Sequence, residues 1–153
     1  MGRHLIFSMQ VMASDKCPLS PLLFLLIMEG LTKLISSTMN EGKLLGVKII
    51  DTIHMNHFLF FDDVLIFLDG SLWDSICFKN ILSTFCTTTG MQPNLRKSII
   101  MITRCSFQEG RYALHLFQFD HRNIEEGLKY LGFRLKPNDY RITDWNWLIA
   151  KIE

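Results

Sequence analysis

His57-Phe58-Leu59-Phe60-Phe61-Asp62-Asp63-Val64-Leu65-Ile66-Phe67-Leu68 sets two adjacent acids between two apolar runs. Each flank is about strand length and rich in aromatic and branched residues. That predicts two strands with the acids at or near the turn. Carboxylates side by side on such a hairpin suit a hard divalent cation such as Mg²⁺, which takes oxygen ligands and keeps waters and substrate phosphates as the others. A solvated turn is the competing reading. Asp is frequent in turns because its side chain accepts from nearby backbone N–H groups. Two exposed charges about 4 Å apart repel by only about 1 kcal/mol in water. Asp-Asp also lacks the Gly of the favoured two-residue hairpin loops. The residue pattern alone leaves both readings open.

Working outward, the 153 residues amount to one domain, and 48% hydrophobic content is ample for a core. A formal net charge of +1 gives no global basic field to attract nucleic acid. A local basic face could form from Arg96, Lys97 and Arg104, with Arg111 further on. Cys17, Cys77, Cys86 and Cys105 make no C-x-x-C pair and fit no common zinc spacing. They read as reduced, mostly buried thiols of an intracellular protein, nuclear or cytoplasmic and not secreted. His54 and His57 lack the second ligand cluster that zinc needs. The longest unbroken apolar run, residues 22–28, is far short of a membrane span, so no membrane partner is expected. Near the N-terminus, Ser8 and Gln10 interrupt the apolar stretch that a signal peptide requires. Ile6 stands where a myristoylation signal needs Ser or Thr.

Punctuation and periodicity give the element order. Residues 1–13 are expected to be extended. Ser20 as N-cap and Pro21 in the first turn predict a helix over 22–38. Leu22, Leu23, Leu26, Ile27, Leu31, Leu34 and Ile35 give it a broad apolar face. A strand over 44–50, the acid hairpin over 55–68 and a second helix over 72–88 follow. Gly90 stops that helix. Residues 98–103 read as a strand, 112–119 and 124–135 as weaker strands, and 142–152 as the start of a helix. The pattern is α+β.

Several short motifs, in order, resemble the reverse transcriptase domain of plant LINE-type non-LTR retrotransposons. Cys17-Pro18-Leu19-Ser20-Pro21-Leu22-Leu23-Phe24 resembles the end of that family's Arg-Gln-Gly-x-Pro-Leu-Ser-Pro motif. His57 to Asp63 resembles its His-Leu-Leu-Phe-Ala-Asp-Asp signature. Gly90 to Ser98 resembles a Gly-Leu-x-x-Asn-x-x-Lys-Ser segment, and Lys129 to Leu135 resembles the Tyr-Leu-Gly-x-x-Leu segment at the palm–thumb junction. Trp147 to Ile152 looks like the first thumb helix. The resemblance spans about residues 13–152.

It implies a partial polymerase palm over 1–135, an antiparallel sheet with helices on one face in a ferredoxin-like order. A thumb stub over 136–153 would follow. It implies RNA-directed DNA polymerase chemistry by two Mg²⁺ ions, with an RNA template, a DNA primer and a dNTP as partners. Asp62 would be a metal ligand and Asp63 would support the site. Pro18, Leu19 and Ser20 would shape the nucleotide pocket, Lys97 would approach the triphosphate, and Tyr130 and Gly132 would lie near the primer. Oligomeric state is not legible.

Departures from the family pattern are plain. The first carboxylate motif, which lies on a central palm strand, has no counterpart before residue 13, and the fingers are absent. Ser14-Asp15-Lys16 replaces Arg-Gln-Gly, and Phe61 replaces the usual Ala. Taken with the resemblance, the chain is expected to be an N-terminally truncated fragment, inactive alone. An open sheet edge and marginal stability are expected as well.

Overall fold

The computed structural model describes residues 4–12, 20–51, 53–60, 63–103, 106–130, 133–136 and 140–152. Strand β1 (His4–Met12) runs through the middle of the principal sheet. Beside it are β4 (His57–Phe60), β5 (Asp63–Leu68), β7 (Ile99–Thr103) and β8 (Asp120–Arg122), in the order β4-β5-β1-β7-β8. Neighbours are antiparallel except β8, which joins β7 in parallel and makes the sheet mixed. A short β6 (Gln92–Pro93) pairs with the end of β1.

The expected open edge beside the acid hairpin is therefore filled. His4–Met12 occupies the central place that the sequence comparison left empty, with Leu5 opposite Leu68 on one side and Ile102 on the other. Alternation explains why the segment suits a middle strand. Leu5 and Phe7 are buried on one face while Ile6 packs on the opposite one.

Three helices cover one face. α1 (Ser20–Asn40) takes in Ser20 as its first residue. α2 (Leu72–Thr89) is capped by Ser71, whose hydroxyl accepts from Asp74 N–H at 3.1 Å. Gly90 ends it at φ 72°, donating to the Cys86 carbonyl at 2.9 Å. α3 (Phe107–Phe117) replaces the strand expected over 112–119. Its start is fixed by a reciprocal cap: Ser106 Oγ accepts from Glu109 N–H and the Glu109 carboxylate accepts from Ser106 N–H, both at 3.2 Å.

Met28, Leu31 and Ile35 of α1, Phe78 and Phe85 of α2, and Ala113 and Phe117 of α3 meet Phe7, Ile66 and Ile100 of the sheet in one core. Phe7 lies 4.6 Å from the Phe117 ring and 5.6 Å from that of Phe78. By length and composition α1 is apolar enough to cross a bilayer. Its Phe24, Met28, Leu31 and Ile35 are nevertheless committed to this core, while Leu22 and Leu26 at its start stay 62% and 69% exposed.

On the other face, Leu65 and Met101 meet Leu128, with Ile6, Phe67, Ile124 and Tyr130 around them. The strand expected over 124–135 is split into a 3-10 turn (Ile124–Glu126) and a hairpin of β9 (Leu128–Tyr130) and β10 (Phe133–Leu135). A second hairpin, β2 (Val47–Ile50) with β3 (Ile53–Met55), leads into β4. The chain closes with a 3-10 turn (Ile142–Trp145) running into α4 (Asn146–Ile152). Cys77 and Cys86 are free and half-buried rather than buried, and Cys17 and Cys105 lie outside the described residues.

Candidate active site

The acid hairpin is formed as expected. β4 and β5 pair from His57–Ile66 to Phe60–Asp63, so Asp63 stands at the tip. Asp62 lies outside the described residues. Asp63 is half-buried, and strand alternation places it with Leu65 and Phe67 on the face away from the helices. Tyr130 of β9 is on that same face. Its phenol is pushed above the ordinary range, first by burial and then by the negative charge of Asp63. Tyr130 and Asp63 thus share one face of the sheet.

The remaining expected residues are only partly placed. Pro18, Leu19 and Gly132 lie outside the described residues, and Ser20 opens α1. Lys97 is exposed in the turn before β7, its N–H donating to the Asn94 carbonyl at 3.0 Å. It lies two positions beyond Ile99, whose partner is Ser8, and Gln10 of the same strand faces Asp63. Lys97 therefore lies at the Asp63 end of the sheet. Of the basic face, Arg96 is exposed beside it, Arg104 is outside the described residues, and Arg111 sits 5.5 Å from the Phe107 ring centre on α3.

The opposite end of the hairpin is held by polar contacts. Asn56, between β3 and β4, accepts from Phe67 N–H through its carbonyl and from His57 N–H through its side chain, both at 2.7 Å. His57 Nδ1 lies 2.7 Å from Asn56 Oδ1, and its Nε2 lies 3.3 Å from Thr32 Oγ1 of α1. Nδ1 as donor and Nε2 as acceptor satisfies both contacts with a neutral ring. Burial lowers the His57 pKa from its ordinary value. His57 is thereby a strut between α1 and the hairpin.

Asp74 escaped sequence reasoning. It is fully buried at the start of α2, and burial raises its pKa against the opposing effect of the N–H groups it accepts from. In the sequence it is one acid in a helix's first turn, where any acid suits the dipole. Two of its partners, Leu45 and Gly46, are too distant along the chain to be read.

A two-ion centre needs a carboxylate bridging both ions as well as an acid pair. The strand beside the pair, His4–Met12, contains neither Asp nor Glu. Asp15 lies outside the described residues, and among the described residues no group of three or more His, Cys, Asp or Glu side chains converges. Among the described residues, Asp63 is the carboxylate at the hairpin tip, and it does not by itself supply the ligands of two ions. It matches at most one hard cation completed by water and substrate oxygens.

A second feature lies on the β9–β10 hairpin. Lys129, Arg134, Trp147 and Lys151 line a cavity of about 310 Å³. Lys151 Nζ sits 5.6 Å from the Trp147 ring centre, and Phe133 meets that ring edge-on at 5.3 Å. The nearby acid, Asp144, is engaged by Lys136 at 2.7 Å and is 3.8 Å from Arg134. Among the described residues, the groove keeps a surplus of positive charge beside an aromatic face.

Among known protein families, the one described as reverse transcriptase (RNA-dependent DNA polymerase) matches this chain over residues 17–135. No curated protein sequence matches it.

Proposed function

The chain belongs to the reverse transcriptase (RNA-dependent DNA polymerase) family, and from that premise we propose that it is a palm of the plant LINE-type lineage that retains the fold but does not polymerise by itself. Residues 1–135 form the palm and 136–153 begin the thumb, and the protein acts inside the cell. Members of the family generally use Mg²⁺ and act on nucleic acid. Asp62 and Asp63 are the inherited metal-facing acids. Pro18, Leu19 and Ser20 belong to the nucleotide pocket, Lys97 to the triphosphate, and Tyr130 and Gly132 to the primer side.

The observation that supports inactivity is the register of β1. Gln10 faces Asp63 from a strand without a single carboxylate. An acid pair without a bridging acid falls short of the assembled sites from which enzymes draw about 8–23 kcal/mol of barrier reduction. Primer extension by the purified chain with Mg²⁺, an RNA template, a DNA primer and dNTPs tests this. No extended product is expected; extension abolished by Asp62→Asn would overturn it.

A second reading, a non-catalytic nucleic-acid-binding remnant, is favoured by the groove of Lys129, Arg134, Trp147 and Lys151. Cations that track a backbone beside an aromatic that stacks a base are how proteins hold single strands without sequence preference. Salt-dependent binding of labelled RNA, weakened by Trp147→Ala, would support it. Binding indifferent to salt would remove it.

A further inference from the structure

The β5 end of the acid hairpin, away from the acids, meets a buried carboxylate, which also holds the segment packed beside the lead-in to β4. Asp74 Oδ2 accepts from Asp69 N–H at 3.2 Å, and Asp69 directly follows β5. Asp74 Oδ1 accepts from Leu45 N–H at 3.1 Å, and Oδ2 accepts from Gly46 N–H at 3.2 Å. Gly46 lies flat against the residues that lead into β4: a Cβ there would stand 2.7 Å from the Met55 carbonyl oxygen and 3.4 Å from Asn56 Cα. Asn56 in turn carries the contacts to Phe67 and His57 at the hairpin's root. Trp73 adds a parallel tie, its Nε1–H donating to the Lys43 carbonyl at 3.0 Å.

We propose that Asp74 is a positioning residue for the acid hairpin, fixing the roots of β4 and β5 so that the tip carrying Asp62 and Asp63 is held in one place. The importance of the tip rests on the proposed function; the coupling from Asp74 to the hairpin does not. A hairpin held only at its ladder can pivot. One joined to the first turn of a helix directly at the β5 root, and through the Gly46 contact at the β4 root, moves with that helix. Among the described residues, Asp74 meets no cation. Its charge is balanced by three N–H groups and by the N-terminal end of α2. Charge-assisted hydrogen bonds to a buried carboxylate are among the stronger ones, and their partners are left unsatisfied when the carboxylate is removed.

Hydrogen exchange resolved by residue tests this in the full chain, using Asp74→Ala, Asp74→Asn and Trp73→Phe. Asp74→Ala is expected to speed exchange at Leu45, Gly46 and Asp69 by roughly tenfold or more, and to speed it at the Phe67 amide as well. Exchange in the β1–β7 ladder should change only with overall stability. Asp74→Asn, which keeps one acceptor oxygen, should restore part of the protection, and Trp73→Phe should loosen the 43–46 segment alone. Acceleration at 45, 46 and 69 with Phe67 unchanged would overturn the proposal, as would uniform acceleration across all strands. If Asp74→Ala does not fold, the Phe67 amide in Asp74→Asn decides. Failure of the proposed function would show instead in the primer-extension and RNA-binding assays, with these exchange results untouched.

Discussion

Lys129 and Arg134 stand directly opposite one another in the β9–β10 ladder. Like charges in that relation destabilise a hairpin, whereas opposite charges stabilise it by about 0.2–1 kcal/mol. Lys129→Glu should therefore raise the melting temperature slightly while weakening RNA binding and lowering its salt slope by about 1. A thermal melt alongside anisotropy titrations at several salt concentrations checks both signs. Loss of stability, or unchanged binding, would mean that the two cations are not held for an anion.

His57 gives the hairpin a pH dependence of definite sign. Burial lowers its folded-state pKa below the ordinary 6.5. Folding therefore favours the neutral ring, and the contribution is complete above 6.5 and lost as pH falls through the lower folded value. NMR titration should find the imidazole protonating below 6.5. Protection at His57 and Phe67 should fall across the same range, and His57→Gln should flatten it.

Gly46 and Gly90 separate backbone strain from crowding. Both are left-handed, at φ 68° and 72°, but a Cβ on Gly90 meets nothing within 4 Å while one on Gly46 meets the Met55 carbonyl. Gly90→Ala should lose roughly 1–2 kcal/mol from conformation. Gly46→Ala should lose clearly more, read from urea unfolding midpoints.

Phe7 is the aromatic hub between the central strand and two helices. Phe7→Ala should destabilise by about 3–5 kcal/mol, measured by chemical denaturation. A value under ~1 kcal/mol would mean that β1 is not the middle of the sheet.

Much of this architecture was legible because the signals were local. Gly90 after α2 and the apolar runs flanking Asp62-Asp63 are short-range statements that the fold obeys. The helical character of α3 is hidden from a local reading because Tyr112-Ala113-Leu114-His115-Leu116 mimics strand alternation. The Ser106-x-x-Glu109 cap that decides the matter lies just outside that window. The role of β1 was hidden for a different reason. Nothing inside His4–Met12 says that its partners will be β5 and β7. Asp74 is the same case at the level of one side chain, since its acceptors serve amides of another segment.

The place of β1 also orders events during synthesis. The middle strand emerges before both of its neighbours, β5 and β7, and β7 follows two helices and the acid hairpin along the chain. Until residue 103 has been made, His4–Met12 has only one flank to pair with, so the sheet cannot assemble in the order in which it is translated. Pairings this far apart in sequence carry loop-closure entropy before any contact rewards it, which slows folding and lengthens the exposure of Leu5, Ile6 and Phe7 to other chains.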